Sequence, residues 1–221
     1  MVRRMLQAAK VLAGAGTLVL AFCILMPEAL AFPYHRQVGQ HRIYAERPIP
    51  NAIEQVVARA DVLVATSPLY EGSDGERIFL TDGGWRWRLL SLRSAGAFAL
   101  TRAVSETIVV NRSDVTRDLV WNGAAVAGRR SLSGVLAHER AHGMIRAHYG
   151  ILADARLPGW LREGYCDHVA GGGTLNDAEA ARLVAQGHDV PALQYYRGRK
   201  RVEAILRDNG GSVDALFRGG W

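Results

Sequence analysis

Apolar residues are distributed along this chain in three ways. The first is an unbroken run, Val11–Met26 (VLAGAGTLVLAFCILM), with Arg3, Arg4 and Lys10 ahead of it and Ala29-Leu30-Ala31 behind it. A basic flank, a 16-residue apolar core and a small-x-small tripeptide predict a signal peptide over residues 1–31, with the mature chain starting at Phe32. The run is shorter than the roughly 20 residues of a comfortable membrane span. Cleavage is therefore expected, giving a periplasmic or secreted protein; an uncleaved inner-membrane anchor facing the periplasm is the alternative. Leu20-Ala21-Phe22 before Cys23 is no lipobox.

The second regime, up to about residue 130, mixes both periods. Gln40–Ala45 reads as a strand. Asn51 and Glu54 resemble a capping box opening a helix whose stripe is Ile53, Val56, Val57, Ala60 and Leu63, ended at Ser67-Pro68. Arg77–Thr81 predicts a strand, Trp85–Leu92 a short helix, and Ala97–Ala103 and Thr107–Asn111 two further β-branched strands. Trp85 and Trp87 read as core. His35 and His41 have no partners at ligand spacing and read as surface or packing residues.

The third regime is helical. Ser131–Gly150 carries Leu132, Val135, Leu136 and Ile145 at helical period. Pro158-Gly159 marks a turn before a helix over Trp160–Val169. Beyond Gly171–Gly173, helices are expected over Asn176–Gln186, with an Asn cap and acidic first turn, over Leu193–Arg207, and over Val213–Phe217.

Composition narrows the field. Without residues 1–31 the chain keeps 24 basic and 20 acidic residues, a balance of +4, and no dense basic run points to nucleic acid. Arg197, Arg199, Lys200 and Arg201 read as a solvated face. The 190 residues from Phe32 suit one domain, 32–221. Cys166 is then the lone cysteine, so no internal disulfide can form, and it reads as a small buried packing residue.

The chemistry lies in His138-Glu139-Arg140-Ala141-His142. On a helix the two imidazoles stand one turn apart on one face and can grip one divalent cation; Glu139 is placed to act on a metal-bound water. Zinc suits imidazole ligands and an open fourth position, and requires a third protein ligand. Two residues compete. His148 follows His142 by six residues, the metzincin interval, but Ile145 stands where that pattern has a helix-breaking glycine, and no Met follows Met144. On a continuing helix His148 points about 240° away from His142. The other candidate is Glu163, in the helix after Pro158-Gly159.

HERAH, seventeen residues, then Trp160-Leu161-x-Glu163-Gly164 resembles the gluzincins, above all the small peptidase-MA-like members with a W-L-x-E-G segment. The resemblance covers about Val135 to Val169 well and the C-terminal region loosely. It implies a Zn2+ site of His138, His142 and Glu163, Glu139 as general base, and Asp167 as the acid that hydrogen-bonds the first histidine. It also implies a tyrosine facing the metal; aligning Val202 and Ile205-Leu206 with the family's apolar positions puts Tyr196 there, although that segment's Phe and second Tyr are replaced. Tyr195 and Tyr196 otherwise read as core aromatics. The fold class expected is α+β, zincin-like: a small twisted N-terminal sheet packed on the HExxH helix, then a mostly helical part. The function expected is a zinc metallopeptidase acting on peptide or protein substrate, an edge strand binding it extended. The alternative is a catalytically silent zincin-like binding or regulatory domain of the cell envelope.

Overall fold

A computed structural model describes residues 2–72 and 75–219. The chain is α+β. Helix α1 (Val2–Leu25) leads through a 3-10 turn, Pro27–Leu30, into β1 (Tyr34–Val38), which pairs antiparallel with β2 (His41–Ala45). Helix α2 (Ile53–Val64) crosses over to β3 (Arg77–Leu80), parallel to β2. After α3 (Trp85–Ser91) come β4 (Ala99–Arg102) and β5 (Thr107–Val110). The sheet order is β1-β2-β3-β5-β4, with β5 parallel to β3 and β4 antiparallel to β5. That leaves β4 at an edge. Among the described residues no helix is long and apolar enough to cross a membrane.

Both faces of this sheet are covered, which is why Thr107-Ile108-Val109-Val110 reads as a continuous apolar run. Alternation splits it. Ile43, Ile78, Leu80, Ile108 and Val110 meet α2 and the helix that follows in the main core. Phe79 and Val109 face the other way, onto Trp87 and Leu90, with Leu30, Phe32, Tyr44 and Leu100 around them. Tyr44 stacks on Phe79 at 4.7 Å, and Phe32 meets it edge-on at 5.0 Å. Thus residues just before and after the expected cleavage point pack against the sheet.

Where the sequence suggested a capping box at Asn51 and Glu54, α2 begins without a side-chain cap. Both side chains are turned to Arg36 on β1, Asn51 accepting from its Nη1 at 2.8 Å and Glu54 ion-paired to its Nη2. A charged fork outbids two backbone N–H groups.

A second, three-stranded antiparallel sheet follows: β6 (Ser113–Asp114), β7 (Leu119–Trp121) and β8 (Arg129–Ser131). It delivers the chain directly into α4 (Leu132–Tyr149), whose start is fixed twice. Ser131 Oγ accepts from the Gly134 N–H, and the Asp118 carboxylate accepts from the Ser133 N–H and hydroxyl, both at 2.7 Å. Helix α4 packs on α2, β4 and β5. The remaining helices are α5 (Ala153–Arg156), α6 (Gly159–Val169), α7 (Asp177–Ala185), α8 (Pro191–Asp208) and α9 (Val213–Arg218). Helix α6 lies between α4 and α8. Its approach to α8 is backbone on backbone: a Cβ on Gly164 would come within 2.5 Å of the Gly198 carbonyl carbon, and one on Gly198 within 2.8 Å of the Trp160 oxygen. The glycine of the W-L-x-E-G segment is thus a packing requirement.

Candidate metal centre

Helix α4 is buried along most of its length, with His138 only 6% exposed. His138 and His142 face α6 with ring centroids 5.1 Å apart. Glu163, on the first turns of α6, places Oε2 3.4 Å from His138 Nε2 and 3.6 Å from His142 Nε2. Four ligands at about 2.05 Å around a tetrahedral zinc are separated by edges of about 3.4 Å. Both edges from Glu163 to the imidazoles therefore match the spacing one cation requires. The other oxygen of Glu163, Oε1, takes both Nε and Nη2 of Arg162 at 2.9 Å, which leaves a single oxygen for the histidines.

Below the pair, Asp167 is fully buried and its Oδ1 lies 2.8 Å from His138 Nδ1 and 2.9 Å from Arg130 Nη2. A carboxylate on Nδ1 fixes the ring so that Nε2 faces the cation site. Arg130, from β8, also donates to the Gly172 carbonyl at 3.1 Å and lies over Phe98.

The charges follow from these contacts. Burial works against a proton on His138, but the Asp167 carboxylate, and after it Glu163, outweigh burial and push its pKa up to about 10. Burial alone would raise the Glu163 carboxyl; the hydrogen bonds from His138 and His142 instead hold it far below the usual carboxylate range. Asp167 is likewise held low against its burial, by Arg130 and then His138. Without a cation, a proton on His138 supplies the positive charge that the two carboxylates demand.

Glu139 does not join the three donors. Thr101 Oγ1 sits 2.8 Å from its Oε2 and 2.9 Å from its own backbone oxygen, so the carboxylate is held against the edge strand. Both residues line a cavity of about 940 Å³ together with His138, His142, Glu163, Arg130, Arg162, Tyr195 and the stretch from Ala97 to Leu100. Arg140, the variable residue beside Glu139, points to the opposite side of α4. There it pairs with Asp61 at 2.5 Å and Glu76 at 3.0 Å, and His41 joins the same two carboxylates.

The sequence-predicted residues thus separate into two groups. His138, His142, Glu163 and Asp167 come together, with Glu139 beside them. Tyr196 lies elsewhere: its hydroxyl donates to Asp177 at 3.1 Å and its ring packs in a satellite cluster with Leu175, Ala180, Leu183 and Leu193. The tyrosine on the cavity wall is its neighbour Tyr195, whose pKa is raised by burial and by the negative charges of Glu163 and Asp167. One residue of register on a helix is about 100° of rotation, enough to turn the neighbour inward. His148 sits on the outer end of α4, 3.3 Å from Asp214. Cys166, one turn after Glu163, is buried, and its sulfur lies with one nitrogen each of His138 and His142 in a group spanning at most 4.8 Å. A nitrogen–sulfur edge in a zinc site is about 3.5 Å; Cys166 is also absent from the cavity wall, whereas Glu163 is on it. Of the two, Glu163 is the one that faces the cavity. Thr101, Arg130 and Arg162 carried no motif of their own.

No protein-family model matches the chain, and no curated protein and no solved structure matches it either.

Proposed function

We propose that the chain is a zinc-dependent hydrolase, a metallopeptidase that cleaves peptide bonds in extended polypeptide. The observation that carries this reading is the placement of Glu163 Oε2 at the edge length of a tetrahedral zinc site from both His138 Nε2 and His142 Nε2, beside an open cavity. The donor set, two imidazoles and one carboxylate with the cavity on the fourth side, fits a catalytic rather than a structural zinc. A zinc ion held there supplies Lewis acidity: it polarises a carbonyl and brings a bound water's pKa towards ~7.

The protein's own groups do the rest. Glu139 takes a proton from water and returns it to the departing amine, and Thr101 keeps its carboxylate in place between those transfers. Arg162 holds Oε1 of Glu163, so that Oε2 would be the oxygen left to hold the zinc, and Asp167 keeps the His138 ring oriented so that its Nε2 would serve with it. Tyr195 offers a phenol to the oxyanion from the cavity wall. Strand β4 is an edge strand whose residues line the same cavity, so an extended peptide adds to it through backbone hydrogen bonds.

Glu139→Gln tests the reading. The purified protein is assayed for zinc content and for cleavage of an unfolded protein substrate. The variant is expected to hold zinc stoichiometrically while hydrolysis falls at least about 10²–10⁴-fold. Near-native hydrolysis by the variant, or wild-type protein that takes up no zinc, overturns the proposal.

A further inference from the structure

Helix α1 and the segment after it contrast sharply. Every residue from Lys10 to Phe22 is exposed, with Val11, Leu12 and Leu18 at 70–73%. The helix makes its main packing only with the 3-10 turn that follows it. A helix apolar on every side is stable only inside a protein core or in lipid. Pro27, Glu28, Leu30, Ala31 and Phe32, just after it, are tied down. Pro27 is buried, and Leu30 and Phe32 belong to the cluster of Phe79, Trp87, Leu90 and Val109. Glu28 pairs with Arg77 at 2.9 Å. Arg86 donates from Nε to the Leu30 carbonyl at 2.9 Å and from Nη2 to the Ala31 carbonyl at 3.2 Å, while its Nη1 holds Glu46 at 2.7 Å. Ala31 itself has φ +52°, in the left-handed region. A peptidase takes its substrate extended; the Ala31–Phe32 bond follows a left-handed residue whose carbonyl is already bonded.

From this contrast we infer that residues 27–31 are part of the folded domain, that the junction after Ala31 stays intact, and that α1 remains attached as an anchor in an anionic lipid bilayer. Removing residues 1–31 takes Leu30 out of an apolar cluster, Glu28 from Arg77, and two acceptors from Arg86. A segment meant to be discarded has no use for such contacts. The charge pattern selects the lipid: Arg3, Arg4 and Lys10 precede the apolar run, and no acidic residue occurs before Glu28. From Val11 to Leu25 the helix is about 22 Å long, short of a ~30 Å hydrocarbon core. The helix therefore seats in the bilayer without crossing it, with Lys10 snorkelling to the headgroups.

The test uses the full chain expressed in a bacterial host with a working export pathway. Membranes are washed with alkaline carbonate, and the protein is analysed by intact mass. The expected product carries residues 27–31 and all of α1, and leaves the washed membrane only with detergent. A product that begins at Phe32 overturns the inference. So does an uncleaved chain in the soluble fraction, whether monomeric or self-associated through α1. The double variant L18K/F22K, with two charges mid-helix, is expected to be released by the carbonate wash; its retention in the membrane rules out lipid as what covers α1.

Discussion

Replacing Glu163 with Gln while leaving His148 alone, and then the reverse, decides which residue completes the cation site. Glu163→Gln keeps shape and the Arg162 contact in part, but removes the charge that stands 3.4 and 3.6 Å from the two imidazoles. Structural zinc bound by four ligands is worth about 10–16 kcal/mol, so one ligand contributes roughly 2.5–4 kcal/mol, or about 10²–10³-fold in Kd. One effect opposes this. Glu163 is among the groups that keep His138 protonated, so its loss lets that proton leave more easily, recovering about tenfold for each unit the His138 pKa falls. Asp167, the larger influence on His138, is untouched, and the net loss stays near 10²-fold. His148 pairs with Asp214 at the outer end of α4, both side chains more than a third exposed, and touches none of the three donors. His148→Gln is therefore expected to leave zinc affinity within about twofold. Competition titration against a chromophoric chelator, with circular dichroism to confirm folding, measures both. If His148→Gln weakens zinc by two orders of magnitude and Glu163→Gln leaves it unchanged, the arrangement of donors described above is wrong.

Three further outcomes follow from the same contacts. Asp167→Asn should weaken zinc about 10–100-fold and lower the melting temperature of metal-free protein, because His138 and Arg130 lose a shared buried carboxylate; unchanged zinc affinity would remove its orienting role. Tyr195→Phe should lower kcat with little change in KM, whereas Tyr196→Phe, which loses only the bond to Asp177, should leave both intact; steady-state kinetics on one peptide substrate separates them. In metal-free protein the His138 pKa is raised from 6.5 to about 10, so its stabilisation is fully present below about pH 6.5 and is lost as pH rises towards 10. Melting temperature should therefore fall over that window while zinc affinity rises, since the cation displaces the proton; zinc affinity flat from pH 7 to 9 would show that no such proton is held.

How much of this was legible depended on whether a residue's role was local. Helix α7 begins with the Asn176–Glu179 reciprocal cap because every partner lies within one turn. The strands around Phe79 and Val109 were readable because alternation and β-branching act along the chain. The three short strands between Ser113 and Ser131 were not: with two or three residues each, they have no period to detect, and pairing alone defines them. Asn51 and Glu54 fit a local cap but were claimed by Arg36, fifteen and eighteen residues back. The site divides the same way. His138, His142 and Glu139 share one helix and one motif. Arg130 reaches Asp167 only because the small sheet sets β8 against α4, within reach of the side chain on α6, and nothing in Arg129-Arg130-Ser131 signals that. Tyr195 was within reach, but the aromatic landmarks that fix the register of α8 are replaced. His41 offered a signal that went unused: two residues before Ile43, it shares the buried face of β2.

The glycine seam between α6 and α8 has a consequence for how the cavity can adapt. Gly164 follows the third donor directly, and Gly198 comes three residues after Tyr195. With the two backbones in contact at those points, Glu163 and Tyr195 are mounted on one stiff unit. Fluctuations of that unit move the Glu163 carboxylate and the Tyr195 phenol together. Adjustment to different side chains of a bound peptide then falls to the opposite wall, the approach to β4 from Arg93 to Phe98 and the turn from Asn122 to Ala127. Sequence drift that retunes selectivity has room on that wall, while a single methyl group on either glycine would force the two helices apart.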